Sequence, residues 1–259
     1  MASGSVTTSF NELRARGKKS LVCYITAGHP SIAASLDLLR GLEDAGADVI
    51  EVGVPFSDPL ADGPVIQASS QQALSLGMSY NRVLELISKA RPNIPIVLFS
   101  YLNPVLAAGP DALSKARAAG AAGILITDLP VGADPAREKW LGESDLEFIR
   151  LVAPTTPTER MAEIARLGSG FVYLISRLGV TGARAELPAD LPATIDRLRS
   201  ATTLPICVGF GISRPEHAAA VGRRADGVVV GSALVAAAGR STAEALSLVS
   251  GLRKGLDGC

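Results

Sequence analysis

Glu51 stands in the middle of an apolar, β-rich run, Asp48-Val-Ile-Glu-Val-Gly53, where hydrophobic side chains are expected. The run breaks into Val54-Pro-Phe-Ser-Asp-Pro-Leu-Ala-Asp-Gly-Pro64, a loop that holds two more carboxylates, Asp58 and Asp62. A strand buried on both faces reads as continuous apolar residues. An ionised Glu inside one pays a desolvation cost that raises its pKa unless it is paired. Such breaks in a local pattern are expected mainly at functional sites. The chemistry this suggests is general acid/base catalysis, with Glu51 facing a pocket and a second carboxylate, Asp62, delivered by the loop. The competing reading is a Glu at a strand end turned to water.

The rest of the chain must position these groups. Apolar, β-type runs occur at 21–26, 49–52, 96–101, 123–127, 147–152, 171–175, 206–208 and 227–230. Between them lie amphipathic segments such as 32–45, 80–91, 111–119, 158–167 and 214–221, and 242–256 closes the chain. Ser9-Phe-Asn-Glu12 has the spacing of a capping box and predicts a leading helix, with 1–7 as a flexible N-terminus. Eight strands alternating with helices in 259 residues predict a single α/β domain, a (β/α)8 TIM barrel with an extra N-terminal helix. A weak repeat agrees: Ala45-Gly-Ala-Asp-Val, Ala119-Gly-Ala-Ala-Gly and Leu167-Gly-Ser-Gly-Phe each end a helix and enter a strand. Gly46, Gly120 and Gly168 are the expected left-handed helix stops. A doubly wound sheet is the competing layout, but no Gly-x-Gly-x-x-Gly turn follows the first strand.

Composition narrows the class. Lys plus Arg and Asp plus Glu balance at 25 each, so no net field points to nucleic acid or an anionic membrane. No apolar stretch is long enough to suggest a membrane span, and the first residues lack the apolar segment of a signal peptide. Cys23 and Cys207 lie in apolar strands and Cys259 is terminal, which reads as free thiols in a reducing, cytoplasmic setting. His29 and His217 have no metal-ligand spacing, and no metal site is expected.

Barrel enzymes place their chemistry at the C-terminal ends of the strands. Thr26, Glu51, Asp62, Tyr101, Asn103, Asp128, Tyr173 and Ser176 collect there. So do Val208-Gly-Phe-Gly-Ile-Ser213, after the seventh strand, and Val230-Gly-Ser232, after the eighth. Glycines let backbone N–H groups close on an anion, and Ser213 and Ser232 are candidate caps for the helices that follow. Paired glycine turns after the last two strands predict a phosphate site. Six lysines, Lys18, Lys19, Lys89, Lys115, Lys139 and Lys254, all fall in helical or loop segments, so none is expected to form a Schiff base in the pocket. What is left is metal-free, cofactor-free acid/base catalysis on a phosphorylated substrate.

Glu51 through Pro64 resembles the signature of the tryptophan synthase alpha subunit family. The resemblance extends through Tyr24-Ile-Thr-Ala-Gly28, Phe171-Val-Tyr-Leu-Ile-Ser-Arg-Leu-Gly-Val-Thr-Gly182, Val208-Gly-Phe-Gly-Ile212 and Gly231-Ser232, almost the whole chain. It implies cleavage of indole-3-glycerol phosphate into indole and glyceraldehyde 3-phosphate, by Glu51 as acid/base and Asp62 on the indole N–H. Tyr173 matches a tyrosine near the glycerol part; a core aromatic is the alternative. Gly182, Gly209, Phe210, Gly211, Gly231 and Ser232 are the implied phosphate ligands. Tyr24, Phe99, Leu125 and Ile175 are candidates for the indole slot. The stretch 176–188, with Arg177, Gly179 and Thr181, is implied to be a lid in which Thr181 reaches toward Asp62; an ordinary surface loop is the alternative.

No cofactor is implied on this chain. The implied partner is a beta subunit that carries pyridoxal phosphate, in an alpha-beta-beta-alpha complex. The rim segments 55–64 and 103–110, with Phe56, Leu60, Val105 and Leu106 exposed, are the expected docking surface. Three alternatives stay open on sequence: a stand-alone lyase that releases free indole, a non-catalytic regulatory partner, and a generic sugar-phosphate isomerase barrel.

Overall fold

The computed structural model describes residues 4–175, 188–209 and 211–259. Eight parallel strands close into a barrel in sequence order, with β8 pairing back to β1. They are β1 (Ser20–Thr26), β2 (Val49–Gly53), β3 (Ile96–Ser100), β4 (Ala121–Ile126), β5 (Glu147–Val152), β6 (Val172–Ile175), β7 (Ile206–Gly209) and β8 (Gly227–Val230). Twelve helices are described. α1 (Val6–Ala15) precedes the barrel, α2 (Ile32–Gly41) follows β1, and α3 (Pro64–Ser75) and α4 (Tyr80–Ala90) follow β2. α5 (Leu102–Ala107) and α6 (Ala112–Ala119) follow β3, α7 (Pro135–Gly142) follows β4, and α8 (Thr158–Arg166) follows β5. α9 (Leu191–Ala201), α10 (Pro215–Gly222), α11 (Ser232–Arg240) and α12 (Thr242–Asp257) complete the ring. This is the (β/α)8 barrel with extra helices. No described helix is long and apolar enough to cross a membrane.

Alternation along each strand divides the core into two layers. Leu21, Cys23, Ile50, Val52, Ile124, Val172, Leu174, Val208 and Val230 face the helices in one cluster. Val22, Val49, Val97, Leu125, Ile149, Phe171, Tyr173, Cys207 and Val229 fill the barrel interior in another. With both faces covered, β1, β2 and β4 are buried at every position. That is why those strands read as unbroken apolar runs and why Glu51 interrupts its own. Cys23 and Cys207 are buried free thiols.

α1 belongs to the interior layer. Val6 and Phe10 join the inner cluster, and the Phe10 ring lies 5.4 Å from that of Phe171. Glu147, at the start of β5, receives the backbone N–H groups of Val6 and Thr7 and the Thr7 hydroxyl. A carboxylate at a helix N-terminus satisfies orphan donors and complements the helix dipole. The helix therefore starts earlier than the Ser9-Phe-Asn-Glu12 spacing suggests. Its cap is Ser5, whose Oγ accepts from Thr8 N–H, and positions 6 and 7 of the stretch expected to be flexible are docked.

Two other expectations need correction. Gly46 and Gly120 are left-handed, at φ +105° and +112°, but Gly168 is not; Gly170, at φ +74°, makes the turn before β6. The 103–110 segment is not a loop with exposed apolar residues. Most of it is α5, and Val105 is fully buried in the outer core.

Candidate active site

Glu51 sits at the third position of β2, paired with Tyr24 on one side and Val97 on the other. The strand alternation turns it into the barrel with Val49. It is 0% exposed, and neither carboxylate oxygen has a hydrogen-bond partner among the described residues. Burial alone pushes its pKa up to about 8. A carboxyl group kept neutral near pH 7 in an apolar setting is a proton donor whose conjugate base is strongly basic.

Two tyrosines flank it in the same way. Tyr24 pairs with Glu51, and its hydroxyl lies over Gly53, two residues further along β2; a Cβ there would sit 2.2 Å from it. Tyr173 pairs with Cys207, and its hydroxyl lies over Gly209, where a Cβ would sit 2.1 Å away. Each ring leans toward the C-terminal mouth across a glycine in the next strand. Gly209 therefore does something the phosphate assignment did not foresee: it makes room for Tyr173. Burial first, then Glu51 among the neighbouring charges, holds Tyr173 well above the usual phenol range. Burial, then the Asp62 charge, does the same to Tyr24. Glu51, Asp62, Tyr24 and Tyr173 thus share one electrostatic neighbourhood.

Asp62 reaches that neighbourhood from the loop after β2. The Tyr101 hydroxyl donates to its Oδ2 (3.1 Å) and accepts from the Ala61 N–H (2.9 Å), while Gln67 donates to its backbone carbonyl (2.9 Å). Burial raises the Asp62 pKa to about 6, and the Tyr101 hydroxyl opposes that rise. Tyr101 follows β3 as the N-cap of α5, and its ring lies tilted against that of Phe56 at 5.1 Å. The sequence placed Tyr101 among the polar strand-end residues but did not link it to Asp62, and a contact across 39 positions leaves no local signal. Asp58, the other loop carboxylate, is exposed.

The candidates for the indole slot separate. Tyr24 and Phe99 make an edge-to-face pair at 5.1 Å and cluster with Ile66 and Val65 of α3 and Val235 of α11 at the mouth. Those three helical residues were not foreseen. Leu125 is fully buried in the inner layer, and Ile175 is half-buried at the end of β6, on the face shared by Phe171 and Tyr173. Other polar residues at the mouth hold the frame. Asp128 accepts from the Leu102 N–H at the start of α5 (2.7 Å), and Thr26 bonds Ser69 of α3 (2.7 Å).

After β7, Gly211 adopts φ +89°, a conformation that favours glycine, with nothing within 4 Å of where a side chain would start. After β8, Gly231 is the N-cap of α11 and Ser232 its first residue. Neither Ser213 nor Ser232 caps a helix: Arg214 is the N-cap of α10, and no side-chain cap bond is made at α10 or α11. The turns lie side by side because β7 pairs with β8. Gly182, Phe210, Arg177, Gly179 and Thr181 lie outside the described residues. Among the described residues no group of three His, Cys, Asp or Glu is placed to hold a metal ion.

The fold is thus a closed (β/α)8 barrel of the enzyme-bearing class, with a buried carboxyl group of raised pKa in its interior and a second carboxylate at its mouth. The comparisons give the family. The tryptophan synthase alpha chain model matches residues 10–254. Among curated relatives, the tryptophan synthase alpha chains of Desulfatibacillum aliphaticivorans and Carboxydothermus hydrogenoformans are 49% and 48% identical. The matches cover 88% and 87% of this chain and 87% and 86% of theirs. A structure of Mycobacterium tuberculosis tryptophan synthase superposes with a TM-score of 0.90 at 34% identity, covering 99% of both chains. Tryptophan synthase subunit alpha from Legionella pneumophila gives 0.89 at 34%, covering 98% of both. The chain belongs to the tryptophan synthase alpha chain family. With that family it is a lyase of tryptophan biosynthesis that carries the alpha reaction.

Proposed function

We propose that the chain cleaves indole-3-glycerol phosphate to indole and glyceraldehyde 3-phosphate by metal-free retro-aldol chemistry, with Glu51 and Asp62 as its catalytic carboxylates. The observation that carries this reading is Glu51 itself, buried in the barrel with no hydrogen bond to either oxygen among the described residues and its pKa raised to about 8. Protonated Glu51 delivers its proton to indole C3, which turns the ring into an indolenine cation. The Glu51 carboxylate left behind is unpaired and desolvated, hence a strong base for the proton of the adjacent glycerol hydroxyl. Loss of that proton forms the aldehyde, the carbon–carbon bond breaks, and its electrons neutralise the indolenine. Glu51 ends as it began, protonated. Asp62, ionised and held by Tyr101, accepts from the indole N–H and stabilises the cation as it forms. Tyr173 borders the glycerol part, and Tyr24, Phe99, Leu125 and Ile175 border the ring.

The phosphate is assigned to the backbone N–H groups around Gly209, Gly211, Gly231 and Ser232. A helix start without a side-chain cap, as at α11, offers free donors and the positive end of the helix dipole. Phe210 and Gly182 complete the assignment, and Arg177, Gly179 and Thr181 the lid. The partner is a beta subunit that carries pyridoxal phosphate. Leu60 supports that reading: it is 81% exposed beside a groove of about 470 Å3 between the 55–64 loop and α3.

The test is indole release from indole-3-glycerol phosphate, with and without a cognate beta subunit. Indole and glyceraldehyde 3-phosphate in equal amounts, and a faster rate in the complex, are expected. No cleavage in either sample would refute the substrate. Fast turnover alone, with no complex in titration, would make the chain a stand-alone lyase.

A further inference from the structure

A phosphate site built from backbone N–H groups works only if the backbone is held still, and the turn after β7 is made of residues that hold it poorly. Gly211 at φ +89° has no side chain to restrict it. What holds it is the side chain of His217, the third residue of α10, 94% buried and turned back onto the turn. His217 Nδ1 lies 3.1 Å from the Gly211 carbonyl. Its Nε2 receives Arg214 Nη2 at 3.0 Å and Arg214 Nε at 3.3 Å. A guanidinium has no acceptor atom, so Nε2 must be the lone-pair nitrogen. The proton is therefore on Nδ1 and donated to Gly211. The Gly211 carbonyl and the Ile212 N–H belong to one rigid peptide plane and point in opposite directions. A bond that fixes the carbonyl also aims the donor.

We propose that His217, locked in one tautomer by Arg214, is a positioning residue that sets the glycine turn for the substrate phosphate. The proposal rests on the phosphate assignment made above. It adds a residue outside the assigned phosphate ligands, one that acts through the Gly211 carbonyl. Neither histidine was given a role from the sequence, because His217 stands alone on an apolar helix face.

The experiment compares the full-length wild type with His217→Leu, His217→Gln and Arg214→Ala, using indole-3-glycerol phosphate as substrate and inorganic phosphate as competitor. Loss of one neutral hydrogen bond should raise KM and the phosphate inhibition constant together by about three- to tenfold, with kcat within about twofold. Glutamine has both a donor and an acceptor and should bring both constants back to within about twofold of wild type. Arg214 is exposed, so Arg214→Ala keeps the test open if the leucine variant folds poorly. It should raise KM in the wild-type background and add nothing to His217→Leu, because it acts through the histidine. Unchanged constants in His217→Leu, or a glutamine variant as weak as the leucine one, would overturn the positioning role. A wild type that inorganic phosphate does not inhibit would instead overturn the phosphate assignment, and this inference with it.

Discussion

Replacing Glu51 by glutamine should cut turnover steeply, and the stability of the variant relative to wild type should rise with pH in a way that burial dictates. An acid whose folded-state pKa is raised keeps its proton in the folded chain after the unfolded chain has released it. Stability then falls as pH rises from the unfolded value and levels off above the folded one. For Glu51 those limits are 4.5 and about 8. At pH 7 the span covered is about 2.5 pH units, which corresponds to about 3 kcal/mol lost relative to acid conditions. Above pH 8 the loss approaches about 5 kcal/mol. Glutamine does not titrate, so its own cost in the pocket is the same at every pH. Urea unfolding of both proteins at pH 5, 7 and 8.5, with the slopes shared, isolates the difference, since the groups that feel the Glu51 charge, Tyr24, Tyr173, Cys23 and Cys207, are all held protonated above that range. The gap between variant and wild type should widen by about 3 kcal/mol between pH 5 and neutral or mildly alkaline conditions. Parallel curves would mean that Glu51 is solvated or paired and that its proton is not poised for the reaction. In the same samples indole release should fall at least ~10²–10⁴-fold, the usual share of general acid/base catalysis.

Asp62→Asn retains an acceptor for Tyr101 but removes the charge that meets the indolenine cation, and turnover should fall ~10²–10³-fold; near-normal rates would reduce Asp62 to loop architecture. Tyr101→Phe removes the hydroxyl that favours ionised Asp62, so the Asp62 pKa should rise above about 6 and the acid limb of the rate profile should move to higher pH. A limb that stays in place would dissociate Tyr101 from Asp62. Gly209→Ala puts a methyl group 2.1 Å from the Tyr173 hydroxyl and must displace that ring. Crystals of the variant should show the displacement, with weaker binding of the glycerol part, and an unmoved ring would show that the strand yields instead.

The barrel was legible because its strands are covered on both faces, which writes eight apolar runs into the chain, and because the intervening helices repeat with their own period. Glu51 was legible for the same reason: one carboxylate in such a run has no structural excuse. α5 was not, since six residues with Pro104 among them are too short to show a period, and Val105 consequently passed for a rim residue. The docking of the first turn of α1 depends on Glu147, 141 positions from Val6, which no local pattern reports. The roles of Gly53 and Gly209 were equally hidden. Both glycines answer to a tyrosine in the neighbouring strand, and that requirement exists only once the barrel has closed.

The docking of α1 under the barrel has a kinetic meaning. Among the described residues, Val6 and Phe10 cover the end opposite Glu51 and Asp62, which leaves the mouth at the C-terminal ends of the strands as the door to the interior. Substrate and product share that door. Whatever covers it slows arrival and departure by the same factor, so a cover lengthens the residence of a small apolar product without changing its equilibrium affinity. Retention and tight binding are then separate properties, and weak binding inside the barrel is compatible with very little leakage from it.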